Sequence, residues 1–82
     1  MKRLSKPEHN VLTILHGCPN GATEFNLVTR HAIKPATLYL LIERGLIRPE
    51  NRMVRPPYGF QIIWVILTEN GHAMLARERA TS

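Results

Sequence analysis

Residues His31 to Ile47 read HAIKPATLYLLIERGLI, and the fold turns on how this stretch is divided. A residue that precedes proline is pushed away from helical geometry, whereas proline itself suits the first position of a helix. Ile33-Lys34-Pro35 therefore ends one helix and launches another at Pro35. The new helix runs through ATLYLLIER and stops at Gly45, where a left-handed residue satisfies the last carbonyls. Leu38, Leu41 and Ile42 stand at i, i+3 and i+4, a stripe that packs against the two preceding helices.

Upstream, Ser5-x-x-Glu8 is a capping box with Pro7 in the first turn, and Val11, Leu12 and Leu15 follow on one helical face up to Gly17. Cys18 to Gly21 is a turn cluster. Thr23 then caps a short second helix with Glu24 in its first turn and Leu27 and Val28 on its buried side. Downstream the periodicity changes. Leu46-Ile47-Arg48 begins a strand, PENRMVRPPYG from Pro49 to Gly59 reads as a loop, and FQIIWVIL from Phe60 to Leu67 is a β-branched and aromatic second strand. Thr68 caps a closing helix, Glu69 to Ala80, in which Gly71 permits close packing and Ala73, Leu75 and Ala76 supply small apolar contacts. The expected architecture is mainly α with a small β-hairpin, an α+β winged helix-turn-helix in the order helix, helix, helix, strand, strand, helix, occupying residues 1–82 as a single domain.

The composition suits one small domain. The chain has 82 residues, 44% of them hydrophobic, and its 11 Lys and Arg against 6 Asp and Glu give a formal charge of +5. Such a balance favours an anionic partner, nucleic acid first. Cys18 is the single cysteine, so no intramolecular disulfide is possible, and a reducing cytoplasm, with the nucleoid if bacterial, is the expected setting. The amino-terminal MKRLSKPEHN has no apolar run behind its basic residues, and Ile62 to Leu67 is too short to span a bilayer, so no membrane association is expected. His9, His16, His31 and His72 are scattered, and there is no phosphate-cradling glycine loop or nucleophile elbow. No enzyme activity, metal or cofactor is expected.

ATLYLLIERGLI resembles the third helix of PadR-like and MarR-like winged-helix transcription regulators, and WVILTENGHAMLA resembles their final strand and the opening of the next helix. The resemblance covers residues from about 23 to 76. It implies a small transcription regulator that binds double-stranded DNA sequence-specifically, with the third helix in the major groove and the wing on the adjacent groove, often as a homodimer.

On this reading Lys34, Thr37, Tyr39 and Arg44 are left for the exposed side of the third helix, with Leu40 beside them. Lys34 stands at the leading end where base contacts concentrate; Thr37 suits a phosphate or a thymine methyl, and Tyr39 a phosphate. Tyr39 and Leu40 serve equally well as cover for the flank of a small core. Arg48, Arg52 and Arg55, set among prolines and Tyr58 and opposed only by Glu50, make the wing locally basic and suited to phosphates or a minor groove. Arg30, with Lys2, Arg3 and Lys6, adds backbone contacts; the alternative for all these charges is a solvated basic face.

The last strand is apolar on both sides. Ile63, Val65 and Leu67 are expected to face the helices, which leaves Ile62, Trp64 and Ile66 to be covered by the last helix or the amino-terminal segment, or to form a protein interface. With Leu40, these three residues support a second reading, a winged-helix interaction module or inhibitor acting within a larger nucleoprotein complex.

Overall fold

The computed structural model describes residues 3–53 and 61–81. Its elements follow in the order α1 (Lys6–His16), β1 (Ala22–Thr23), α2 (Glu24–Thr29), α3 (Pro35–Glu43), β2 (Ile47–Met53), β3 (Gln61–Leu67) and α4 (Glu69–Thr81). Each helix starts where local chemistry directs it. The Ser5 hydroxyl accepts from the Glu8 N–H at 3.3 Å while the Ser5 N–H donates to Glu8 Oε1 at 2.9 Å, closing the capping box of α1. Thr23 accepts from the Asn26 N–H at 3.2 Å and caps α2. Pro35 opens α3.

The turn between α2 and α3 is drawn tight by the Ile33 N–H, which donates to the Leu27 carbonyl at 3.0 Å. Ala32 takes a left-handed φ of 54° there, a conformation that costs a residue with a Cβ about 1–2 kcal/mol. At its far end α3 closes in a Schellman arrangement. Gly45, with φ 74°, donates to the Ile42 carbonyl and Leu46 donates to the Leu41 carbonyl, each at 3.0 Å.

The three strands form an antiparallel sheet in the order β1-β3-β2, with Ile47 opposite Leu67 and Met53 opposite Gln61. Two expectations are corrected here. Pro49 to Met53 belong to a strand and not to a loop; β2 is an edge strand, where a residue lacking an N–H is tolerated. A third strand also joins the hairpin, since Ala22 pairs with Val65 and Thr23 with Trp64. Two residues are too few to show a period of two in the sequence, and Thr23 is read first as a helix cap.

One core lies between the four helices and the inner face of the sheet. Val11, Leu12, Leu15, Leu27, Leu41, Ile47, Val65 and Leu75 are its most deeply buried members, completed by Ile33, Leu38, Leu46, Leu67 and Met74. Val65 and Leu67 face the helices as expected, but Ile63, on the same face, is 41% exposed. In α4 the buried face is Gly71, Met74 and Leu75, at i, i+3 and i+4, whereas Ala73 and Ala76 are exposed.

α4 is seated by a small polar knot. The Thr68 hydroxyl donates to the Gly45 carbonyl at 2.7 Å and accepts from the Gly71 N–H at 3.0 Å, and the Thr68 N–H donates to the Leu46 carbonyl at 3.1 Å. A Cβ at Gly71 would overlap the Leu46 carbonyl oxygen and stand 2.6 Å from Leu67 Cδ1. Gly71→Ala improves intrinsic helix propensity by about 1 kcal/mol, yet the clash of the new methyl with backbone outweighs that gain. The expected result is a net destabilisation of about 1–3 kcal/mol, read from urea unfolding; a stabilised variant would show that α4 is not held against the Leu46 carbonyl.

Candidate nucleic-acid interface

α2 and α3, joined by the strained turn at Ala32, form two helices in sequence, and the β2/β3 hairpin follows them directly. The outward stripe of α3 is Ala36, Leu40 and Glu43, at i, i+4 and i+7, all exposed. Tyr39 is 66% exposed and Leu40 54%. The outward surface of α3 is therefore apolar over its first two turns, with Glu43 at its far end, and the other polar residues lie on the two flanks.

The structure divides the expected site residues between those flanks. On one side Lys34 and Thr37 join Lys6 and Asn10 of α1 and His31 of the turn around a cleft of about 340 Å³. Arg30, the C-cap of α2, is exposed next to His31 in the chain. On the other side Tyr39 lines a crevice with Glu24, Pro35, Ile42, Pro49 and Val65, away from Lys34 and Thr37.

Arg44 corrects the expectation that it lies on the exposed face. Its Nη1 donates to Glu8 Oε2 at 3.0 Å, with its side chain only 22% exposed, so it fastens the end of α3 to the start of α1. Burial alone would push the Glu8 carboxyl up. The Ser5 backbone and hydroxyl and the Arg44 guanidinium together outweigh that effect and hold it below the ordinary value. The sequence shows Glu8 as half of a capping box, and nothing in the spacing of positions 8 and 44 announces the ion pair.

On β2 and β3 the outer face of the sheet carries Arg48, Glu50 and Arg52 opposite Ile66, Trp64 and Ile62. Glu50 bridges the two arginines, at 3.9 Å from Arg48 Nη2 and 3.1 Å from Arg52 Nε. The Arg52 guanidinium lies 4.6 Å over the Trp64 ring, and its Nη2 donates to the Asn20 carbonyl at 3.3 Å. Ile62, Trp64 and Ile66 are half-buried, and over Trp64 lies a cation from the neighbouring strand. Arg55 and Tyr58 lie outside the described residues.

A surface that the sequence does not announce lies between α2 and the sheet. Phe25 is 73% exposed, and with Val28, Pro35, Ile62 and Ile63 it lines an apolar hollow of about 650 Å³ bordered by Thr23, Glu24 and Thr29. Phe25 sits in the first turn of an amphipathic pattern too short to reveal which side it faces. The His16 and His72 rings meet edge to face at 5.7 Å. Among the described residues no three His, Cys, Asp or Glu converge to hold a metal ion, and no helix is long and apolar enough to cross a membrane.

Paired helices with a left-handed turn, followed at once by an antiparallel hairpin on the same core, decide the architecture. The fold is a winged helix. The crystal structure of a zinc-responsive MarR family member, Lactococcus lactis ZitR, superposes on this winged helix with a TM-score of 0.71 at 20% sequence identity, over 96% of this chain and 54% of that one. The winged helix thus spans about half the length of that regulator, and at this identity the likeness is one of fold. No protein-family model and no curated protein sequence matches the chain.

The Glu8–Arg44 pair sets a pH dependence. A carboxyl held low in the folded state stabilises the fold above its ordinary titration range and loses that contribution as pH falls through its folded value. Glu8→Gln keeps the cap and removes the charge. It should cost about 1–3 kcal/mol at pH 7 in denaturant unfolding, with the difference from wild type shrinking in acid; a gap that stays constant down to about pH 3 would contradict the pairing.

Proposed function

We propose that the chain binds double-stranded DNA as a small cytoplasmic transcription regulator, acting by binding and not by catalysis. The observation that carries this reading is the winged helix itself, with a net charge of +5, with Lys6 and Lys34 exposed around the leading end of α3 and with Arg30 exposed at the end of α2. α3 enters the major groove, and the wing lies along the adjacent groove. Because Ala36 and Leu40 face outward, base reading rests on apolar contact with thymine methyls, while affinity comes mainly from phosphate contacts by the surrounding cations. A dimer supplies the second reading head that a half-site of this size requires.

Anisotropy titrations on mixed-sequence duplexes test the reading. With about four to six phosphates engaged, affinity should fall roughly a hundred- to a thousandfold between about 50 and 200 mM salt. Arg48→Ala should weaken all duplexes alike, whereas Leu40→Asn should reorder them. Absence of binding at low salt would end the proposal.

The exposed Phe25 and the hollow beside it favour a second reading, a winged-helix module that docks on a protein, with Ile62 in the lining of the contact. Under it, Phe25→Ser abolishes self-association or partner association in sedimentation while duplex binding and the melting temperature stay unchanged. Loss of duplex binding alone would assign Phe25 to the DNA surface.

A further inference from the structure

The cleft between the starts of α1 and α3 gathers basic and neutral polar side chains from three parts of the chain. Lys6 and Asn10 project from the first turns of α1, His31 from the turn after α2, and Lys34 and Thr37 from the start of α3, and among the described residues no acidic side chain lines it. Lys6, Asn10, His31 and Lys34 are exposed, so the cationic groups stand at the rim. α3 begins without a side-chain cap at Lys34, so no capping acceptor competes there with an incoming anion. At about 340 Å³ the cleft is many times the roughly 30 Å³ share of a single water, room enough for a tetrahedral oxyanion with its substituents.

We infer that this cleft is a seat for one phosphodiester group of the DNA backbone, held between Lys6 on α1 and Lys34 on α3, with Thr37 and Asn10 as neutral donors. The inference rests on the DNA-binding reading and deepens it by assigning Lys34 and Thr37 to the backbone instead of to bases. The cleft opens beside the outward stripe of α3, so a duplex engaged by that stripe lays one strand of its backbone across it. Because Lys6 belongs to α1, the clamp fixes the angle at which the whole domain sits on the duplex, which contacts from α3 alone do not determine.

The test pairs protein variants with chemically neutralised DNA. Wild type and Lys6→Gln are titrated against a duplex of about 20 base pairs and a set of duplexes in which single phosphates are replaced by methylphosphonate. Lys6→Gln should bind the unmodified duplex roughly three- to tenfold more weakly, equally across sequences, with the salt slope reduced by about 0.9. One neutralised phosphate should weaken wild type by a similar factor and leave Lys6→Gln unaffected. Thr37→Val should show the same coupling to the same phosphate, which covers the case in which Lys6→Gln disturbs the start of α1. If wild type binds and neither variant shows position-specific coupling, the cleft is not the seat although the DNA reading stands. If wild type binds no duplex, both readings fall.

Discussion

Thr68 joins the two halves of the chain. Its hydroxyl and N–H take the Gly45 and Leu46 carbonyls, and the Gly71 N–H returns to the same hydroxyl. These carbonyls belong to the two residues that close the Schellman turn after α3. The result is that the end of α3, the start of β2, the end of β3 and the start of α4 meet at one point. The hairpin can therefore project in only one direction relative to α3, and α4 can approach closely only because residue 71 has no side chain. The Glu8–Arg44 pair acts at the same end of α3 from the other side, fixing it to α1. The start of α3 is thus set locally, by Ala32 and Pro35, and its finish by this knot and the ion pair, which reach across the chain.

Much of the fold is legible in the residues because local rules and the global fold agree. The capping box at Ser5, the proline at 35, the glycine at 45 and the threonine at 68 each mark a boundary by a mechanism that needs no tertiary partner. What the sequence hides is what depends on tertiary neighbours. β1 exists only because β3 offers it an edge. Pro49 reads as a loop residue until its strand proves to be the outermost. Arg44 reads as exposed because its partner lies 36 positions away, and the buried side of α4 shows only once Gly71 is seen against Leu46.

The candidate site is readable in residue type more than in placement. Lys34 and Thr37 do stand together, with Lys6 added by the fold, whereas Tyr39 falls on the opposite flank and Arg48 and Arg52 face the outer side of the sheet. Helical periodicity gives the angle of a residue about its own axis but not the neighbour it meets there. Phe25 shows the same limit: the six residues of α2 do not carry enough periodicity to say that a phenylalanine points into solvent.

Trp64 is the chain's single tryptophan, and its indole lies beneath a guanidinium anchored to Glu50 and to the Asn20 carbonyl. This stack makes the outer sheet face an intrinsic optical gauge. Anything that draws Arg52 away uncovers the ring, alters its quenching and shifts its emission, while events confined to the opposite side of the domain leave the spectrum still. The chain thus carries its own reporter for engagement of the wing, without a dye or a label.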